Sequence, residues 1–142
     1  MSTAETPKES GTYDAGCHCG YISLSLTLSP PLPEYTVLNC NCSMCTRAGY
    51  LLVYPKHEDV TWKNDSKARC SVYQFNTKSK DQLFCPKCGS SIGIDFLQKG
   101  FYGISVRTIN DMDLDTLQYK KLDGKNLVSP AGDLSGTEHK ET

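Results

Sequence analysis

The sequence predicts a small, mostly β domain stapled by metal, and three observations carry that expectation. Apolar and polar residues alternate with period two through much of the middle of the chain, the pattern of strands with one buried face. No long segment keeps a helical period. The eight cysteines fall mostly into tight groups instead of being scattered.

The elements follow in order. Residues 1–12 and 125–142 are rich in Ser, Thr, Gly, Lys and Glu, and they read as mobile tails around a single domain at 13–124. Ile22, Leu24, Leu26 and Leu28 alternate with Ser23, Ser25 and Thr27, a half-buried strand stopped by Pro30, Pro31 and Pro33. Further strands are expected over 35–40, 49–54, 60–62, 70–75, 91–96 and 101–106, separated by turn formers at 63–66, 76–77 and 99–100. Short helical turns are expected after Cys42 and around 111–115. Asp111, Asp113 and Asp115 resemble the start of a calcium loop, but Thr116 replaces the required glycine and Leu122 the terminal glutamate. A solvated turn is the better reading.

With 142 residues the chain has room for one modest core. A formal net charge of −1 gives no electrostatic footprint for nucleic acid. No apolar run approaches the roughly 20 residues that span a bilayer, and the polar N-terminus lacks the apolar segment of a secretory signal. The expected compartment is therefore cytoplasmic, where thiols stay reduced.

In that compartment Cys17, Cys19, Cys40, Cys42, Cys45, Cys70, Cys85 and Cys88 point to metal and not to disulfides. Residues i and i+2 of an extended segment share a face, so Cys17 and Cys19 can grip one ion together, as can Cys40 and Cys42. Cys85-Pro86-Lys87-Cys88-Gly89 reads as a zinc knuckle, its glycine free to take the left-handed conformation that closes the turn. The simplest partition gives Cys17, Cys19, Cys85 and Cys88 to one closed structural site. Cys40, Cys42 and Cys45 then form a second site with three protein ligands and an open position, the pattern of catalytic zinc. At this point Cys70, His57 or His18 remain alternatives for its fourth ligand, and a mixed grouping such as Cys17 and Cys19 with Cys42 and Cys45 also stays open. Cys70 reads otherwise as a buried strand thiol, and Trp62 as core.

Three blocks, Gly16-Cys17-His18-Cys19-Gly20, Cys40-Asn41-Cys42-Ser43-Met44-Cys45-Thr46-Arg47 and Phe84-Cys85-Pro86-Lys87-Cys88-Gly89, resemble the glutathione-dependent formaldehyde-activating enzyme family, which includes the centromere protein V group. Residues 105–111 are similar to the family's late segment, with departures at Ile109 and Asn110. The resemblance implies several small coiled antiparallel β-sheets and two zinc ions per chain, one structural on Cys17, Cys19, Cys85 and Cys88, one catalytic on Cys40, Cys42 and Cys45. It implies carbon–sulfur lyase chemistry on adducts of glutathione or another small thiol, such as S-hydroxymethylglutathione, with the substrate sulfur meeting the open zinc position. The long basic or Pro-rich extensions of the centromere branch are missing, which argues against a chromatin role. Arg47 is the best-placed cation for a substrate carboxylate, ahead of Lys56 and Arg107, with a solvated charge or helix cap as the plainer role. Tyr54 and His57 are candidates for proton transfer, although a packed aromatic and a loop histidine are the plainer readings. His18, between two ligands, should point away from the metal. The competing functional class is a non-catalytic two-zinc module that binds a protein partner. Oligomeric state is left open, with a homodimer compatible with the pattern.

Overall fold

The computed structural model describes residues 9–75 and 78–127, so the expectations for 1–8, 76–77 and 128–142 lie outside the described residues. Its strands are β1 (Gly11–Gly16), β2 (Ser23–Leu28), β3 (Thr36–Cys40), β4 (Leu52–Val53), β5 (Val60–Lys63), β6 (Ser71–Tyr73), β7 (Asp81–Phe84), β8 (Ser91–Asp95), β9 (Tyr102–Ser105) and β10 (Gln118–Leu122). Three short helices accompany them: α1 (Ser43–Ala48), α2 (Ser66–Arg69) and α3 (Gly124–Leu127). A three-stranded sheet runs β1-β2-β5, and a seven-stranded sheet runs β10-β3-β4-β9-β8-β7-β6. The mostly β expectation holds. Every pairing is antiparallel except β10 with β3, which is parallel.

The alternation in β2 does what its sequence dictates. Ile22 just before the strand and Leu24, Leu26 and Leu28 within it are buried, while Ser23, Ser25 and Thr27 are only half-buried. Each such burial is worth about 1.5–3 kcal/mol. The main core joins these side chains to Val37, Val53, Leu83, Ile92, Tyr102 and Ile104 from the larger sheet and to Val106 just after β9.

The larger sheet has a second apolar face. Residues directly opposite across a ladder share a face, and Ile94 pairs with Gly103, Leu38 with Leu52, and Leu122 with Cys40. A smaller core of Cys40, Cys45, Tyr50, Leu52 and Ile94 lies there, with Cys42, Met44, Tyr54, Phe96 and Leu122 partly buried against it. One face of the sheet therefore holds the fold together, and the other carries three thiols.

Several elements depart from the sequence reading. β1 begins at Gly11, inside the stretch 1–12 expected as tail, and α3 starts inside the domain and runs into the stretch expected as tail from 125. The run 49–54 yields only a two-residue strand, because Gly49 takes a left-handed φ of 69° to end α1 and Tyr50 donates its N–H to the Cys45 carbonyl. At 111–115 the expected turn is present: the Asp113 carboxylate accepts the Asp115 N–H at 3.0 Å and opens a 3-10 turn at Leu114–Thr116.

Candidate metal centres

The first cluster joins distant parts of the chain. Cys17 follows β1, and Cys17 and Cys19 lie in a tight turn, with the Gly20 N–H on the Cys17 carbonyl at 3.4 Å. A turn, not strand alternation, therefore brings this pair together. Cys85 and Cys88 come from the turn between β7 and β8. Gly89 has a φ of 78° and donates its N–H to the Cys85 carbonyl at 2.9 Å, the geometry expected of the knuckle. The Lys87 and Cys88 amides point at the Cys85 sulfur at 3.3 and 3.5 Å, and the Ile22 amide at the Cys17 sulfur at 3.2 Å. Backbone donors aimed at sulfur favour thiolate.

The four sulfurs lie within 4.8 Å of one another. A tetrahedral ion with metal–sulfur bonds near 2.3 Å has sulfur–sulfur edges of about 3.8 Å. The Cys17–Cys19 and Cys19–Cys85 sulfurs stand 3.7 and 3.8 Å apart, so the residues fit the ion. The thiols are electrostatically differentiated. The Ser90 hydroxyl and amide beside Cys88 pull its pKa down to about 5. The Tyr21 amide lowers that of Cys19, but burial and the thiols of Cys17, Cys85 and Cys88 carry it up to about 11. For Cys17, burial acts upward but is outweighed by the Ile22 amide and the Cys19 and Cys85 thiols, leaving it lowered.

The second cluster is local. Cys40 ends β3 and is buried; Cys42 is the N-cap of α1; Cys45 lies in its first turn and is buried. The Cys42 sulfur accepts the Cys45 N–H at 3.3 Å, replacing the oxygen that usually caps a helix. The three sulfurs lie within 4.8 Å of one another, and no histidine or carboxylate joins their group among the described residues. Hydrogen bonding from the Cys45 thiol pulls Cys42 down to about 5. The same hydrogen bond, then burial, pushes Cys45 far up, and burial raises Cys40.

The alternatives left open by spacing are now placed. The mixed grouping is not the one found, since Cys17 and Cys19 cluster with Cys85 and Cys88. Cys70 packs against the main core with its sulfur on the Ser66 carbonyl at 3.5 Å, and the charges it feels are those of Lys67, Cys85 and Cys17. It therefore neighbours the first cluster and not the second. Burial pushes its thiol up to about 11. His57 Nε2 donates to Asp95 Oδ1 at 2.9 Å, and its ring lies tilted against that of Tyr102 with centroids 4.4 Å apart, on the main-core face. His18 is exposed and joins neither group. Arg47 is exposed on α1, with Nη1 donating to the Ser43 carbonyl at 3.3 Å, while Arg107 Nε donates to the Gly49 carbonyl at 2.8 Å. Trp62 packs against the main core with Nε1 donating to the Tyr102 hydroxyl at 3.1 Å.

Tyr54 packs against the second cluster, where burial and the charges of Cys45 and Cys40 push its phenol up. Sequence reasoning missed Tyr50. It is buried beside the same thiols, and its hydroxyl points at Gln82 Oε1 at 3.0 Å and the Gly93 carbonyl at 3.2 Å. Nothing in the run 49–54 distinguishes it from a strand aromatic; only the fold reveals its partners.

A family model described as glutathione-dependent formaldehyde-activating enzyme matches residues 12–121. Among solved structures, a crystal structure of a protein from Rhodobacter sphaeroides superposes with a TM-score of 0.63 at 21% identity, covering 75% of this chain and 99% of that one. That likeness concerns the fold. No curated protein matches the chain. Among the described residues no helix is long and apolar enough to cross a membrane.

Proposed function

We propose that this chain, which belongs to the glutathione-dependent formaldehyde-activating enzyme family, is a zinc-dependent carbon–sulfur lyase-type enzyme acting on adducts of glutathione or another small thiol, S-hydroxymethylglutathione among them. The observation that carries the reading is the convergence of Cys40, Cys42 and Cys45 with no fourth metal-binding group beside them among the described residues. Zinc held by these three thiols would act as a Lewis acid that lowers the pKa of a thiol reaching its open side. Cys17, Cys19, Cys85 and Cys88 would hold a second zinc whose role is structural.

The chain's own residues set the surroundings. Cys42 fixes the first turn of α1 and thereby the spacing of Cys45 from Cys40. Tyr50, tied to Gln82 and Gly93, forms a rigid wall, and the Tyr54 phenol stands near the thiols. Arg47 is the residue we assign to a substrate carboxylate. Its present partner is an exposed backbone carbonyl, and exchanging that for a bidentate carboxylate pair is favourable. The partner is a small thiol in the cytoplasm; neither nucleic acid nor membrane is involved.

The test is metal analysis followed by X-ray absorption with and without glutathione. Two zinc ions per chain are expected, with glutathione adding a sulfur at one of them. Full ligation of both ions by protein groups, unchanged by the thiol, would replace the enzyme with a structural module.

A further inference from the structure

The sheet face that carries Cys40, and against which Cys45 of α1 packs, continues past the thiols. Leu52, Ile94 and Gly103 lie along it, and the rings of Tyr54 and Phe96 pack against the same small core. Phe101 completes the group. Its ring centroid is 4.7 Å from that of Phe96 and 6.0 Å from that of Tyr54, and Tyr54 and Phe96 are themselves 6.0 Å apart. These are the separations of attractive aromatic pairs, yet all three rings remain partly exposed.

Gly103 makes room for this arrangement. A Cβ at that position would stand 3.1 Å from Phe96 Cε2 and 3.3 Å from Tyr54 Cε1, so a side chain there would push both rings back from their present positions. At the rim, Lys80 Nζ lies 5.5 Å from the Phe96 centroid and offers a cation. An aromatic shelf with a charged rim thus adjoins the three thiols. A hydroxymethyl group is small and polar and would leave such a shelf unused.

We propose that the shelf receives a flat apolar substituent on the carbon that bonds to the substrate sulfur, making aryl aldehydes the electrophile class this chain favours. The inference rests on the function proposed above. In the forward step the thiol sulfur bonds to the carbonyl carbon, the carbon–oxygen π bond breaks, and the thiol proton ends on the new hydroxyl oxygen. The reverse step breaks the carbon–sulfur bond and returns that proton. No oxidant or reductant enters. Lys80 is placed to meet a carboxylate of the thiol carrier.

The test titrates the zinc-loaded full chain with glutathione, S-methylglutathione and S-benzylglutathione by calorimetry. The benzyl compound is expected to bind about tenfold tighter than the methyl compound, the range of one good aromatic contact. In the Phe96→Leu, Phe101→Leu double variant, with metal content confirming its fold, that ratio should fall to about twofold or less. A second measurement is independent of any variant: benzyl protons should show nuclear Overhauser contacts to labelled phenylalanine rings in the unmodified protein. Equal affinities for the two thioethers, a ratio indifferent to the double variant, or absent ring contacts would overturn the assignment. Glutathione binding without a benzyl preference removes only this inference; failure of all three ligands removes the proposed function with it.

Discussion

The two thiol clusters should differ in what they contribute to stability, and serine substitution separates them. Cys19 and Cys85, adjacent in the first cluster, are 66 residues apart in sequence. Pinning the ends of a loop that long lowers the entropy of the unfolded chain by an amount worth about 4 kcal/mol at 25 °C, treating the metal clip as a cross-link. Cys40 and Cys45 close a span of only five residues, worth about 2 kcal/mol by the same relation. Against a total stability of about 5–15 kcal/mol, the first loss is large. Cys85→Ser should therefore lower the melting temperature by roughly 10–15 °C, at about 2–4 °C per kcal/mol for a chain of this size. Cys42→Ser should remove the second metal with about half that effect, because serine can still cap α1 through the Cys45 N–H. Calorimetric melting with parallel metal analysis provides the assay. If Cys42→Ser proves as destabilising as Cys85→Ser, the division into a fold-holding site and a reacting site is wrong.

Cys70→Ser should leave two metals per chain, since its sulfur sits on the Ser66 carbonyl and outside both clusters; loss of one metal by mass spectrometry would contradict this. Asp95 is buried and accepts from the Leu97 N–H, His57 Nε2 and Lys67 Nζ at 2.8, 2.9 and 3.1 Å. Asp95→Ala should cost about 1–3 kcal/mol in urea unfolding, less than for a fully buried pair because Lys67 and His57 are half-exposed. Burial acts to raise the Asp95 pKa, but the Leu97 amide, Lys67 and His57 outweigh it and hold it below the usual value. Its contribution is thus fully present above the ordinary carboxyl range and lost only as pH falls through the lowered value, so the wild-type advantage should be undiminished at pH 5. A gap that closes between pH 7 and 5 would refute the assignment. Ser66 is fully buried, donates to the Lys63 carbonyl and accepts the Ser23 N–H at 2.9 Å. Ser66→Ala should cost about 1–3 kcal/mol in the same assay by stranding that N–H, and a neutral result would mean that α2 does not tie β5 to β2.

What was legible in the sequence follows from where burial has a period. β2 is read directly, because its leucines face one core and its polar residues do not. β7 is not: Gln82 and Leu83 are both buried, since Gln82 finds the Tyr50 hydroxyl and the strand lies inside the sheet, so no alternation survives. β10 offers no apolar signal because it is a lysine-bearing edge strand whose pairing to β3 depends on backbone hydrogen bonds. β1 buries only Ala15 fully, so its first two residues, Gly11 and Thr12, read as tail. The cysteine groups were legible because ligand spacing is a local property. Tyr54 stood out in the sequence as a proton-transfer candidate, but the spacing could not supply Tyr50 and Phe96 around the second trio, since they come from separate segments brought to one sheet face by the register of β4, β9 and β8. The crowding of three thiols in six residues has its own local cause: a strand ends at Cys40, a helix is capped by Cys42, and its first turn returns Cys45 beside them. The sheet face beneath it carries Leu52 and Ile94, with the rings of Tyr54 and Phe96 partly buried against them.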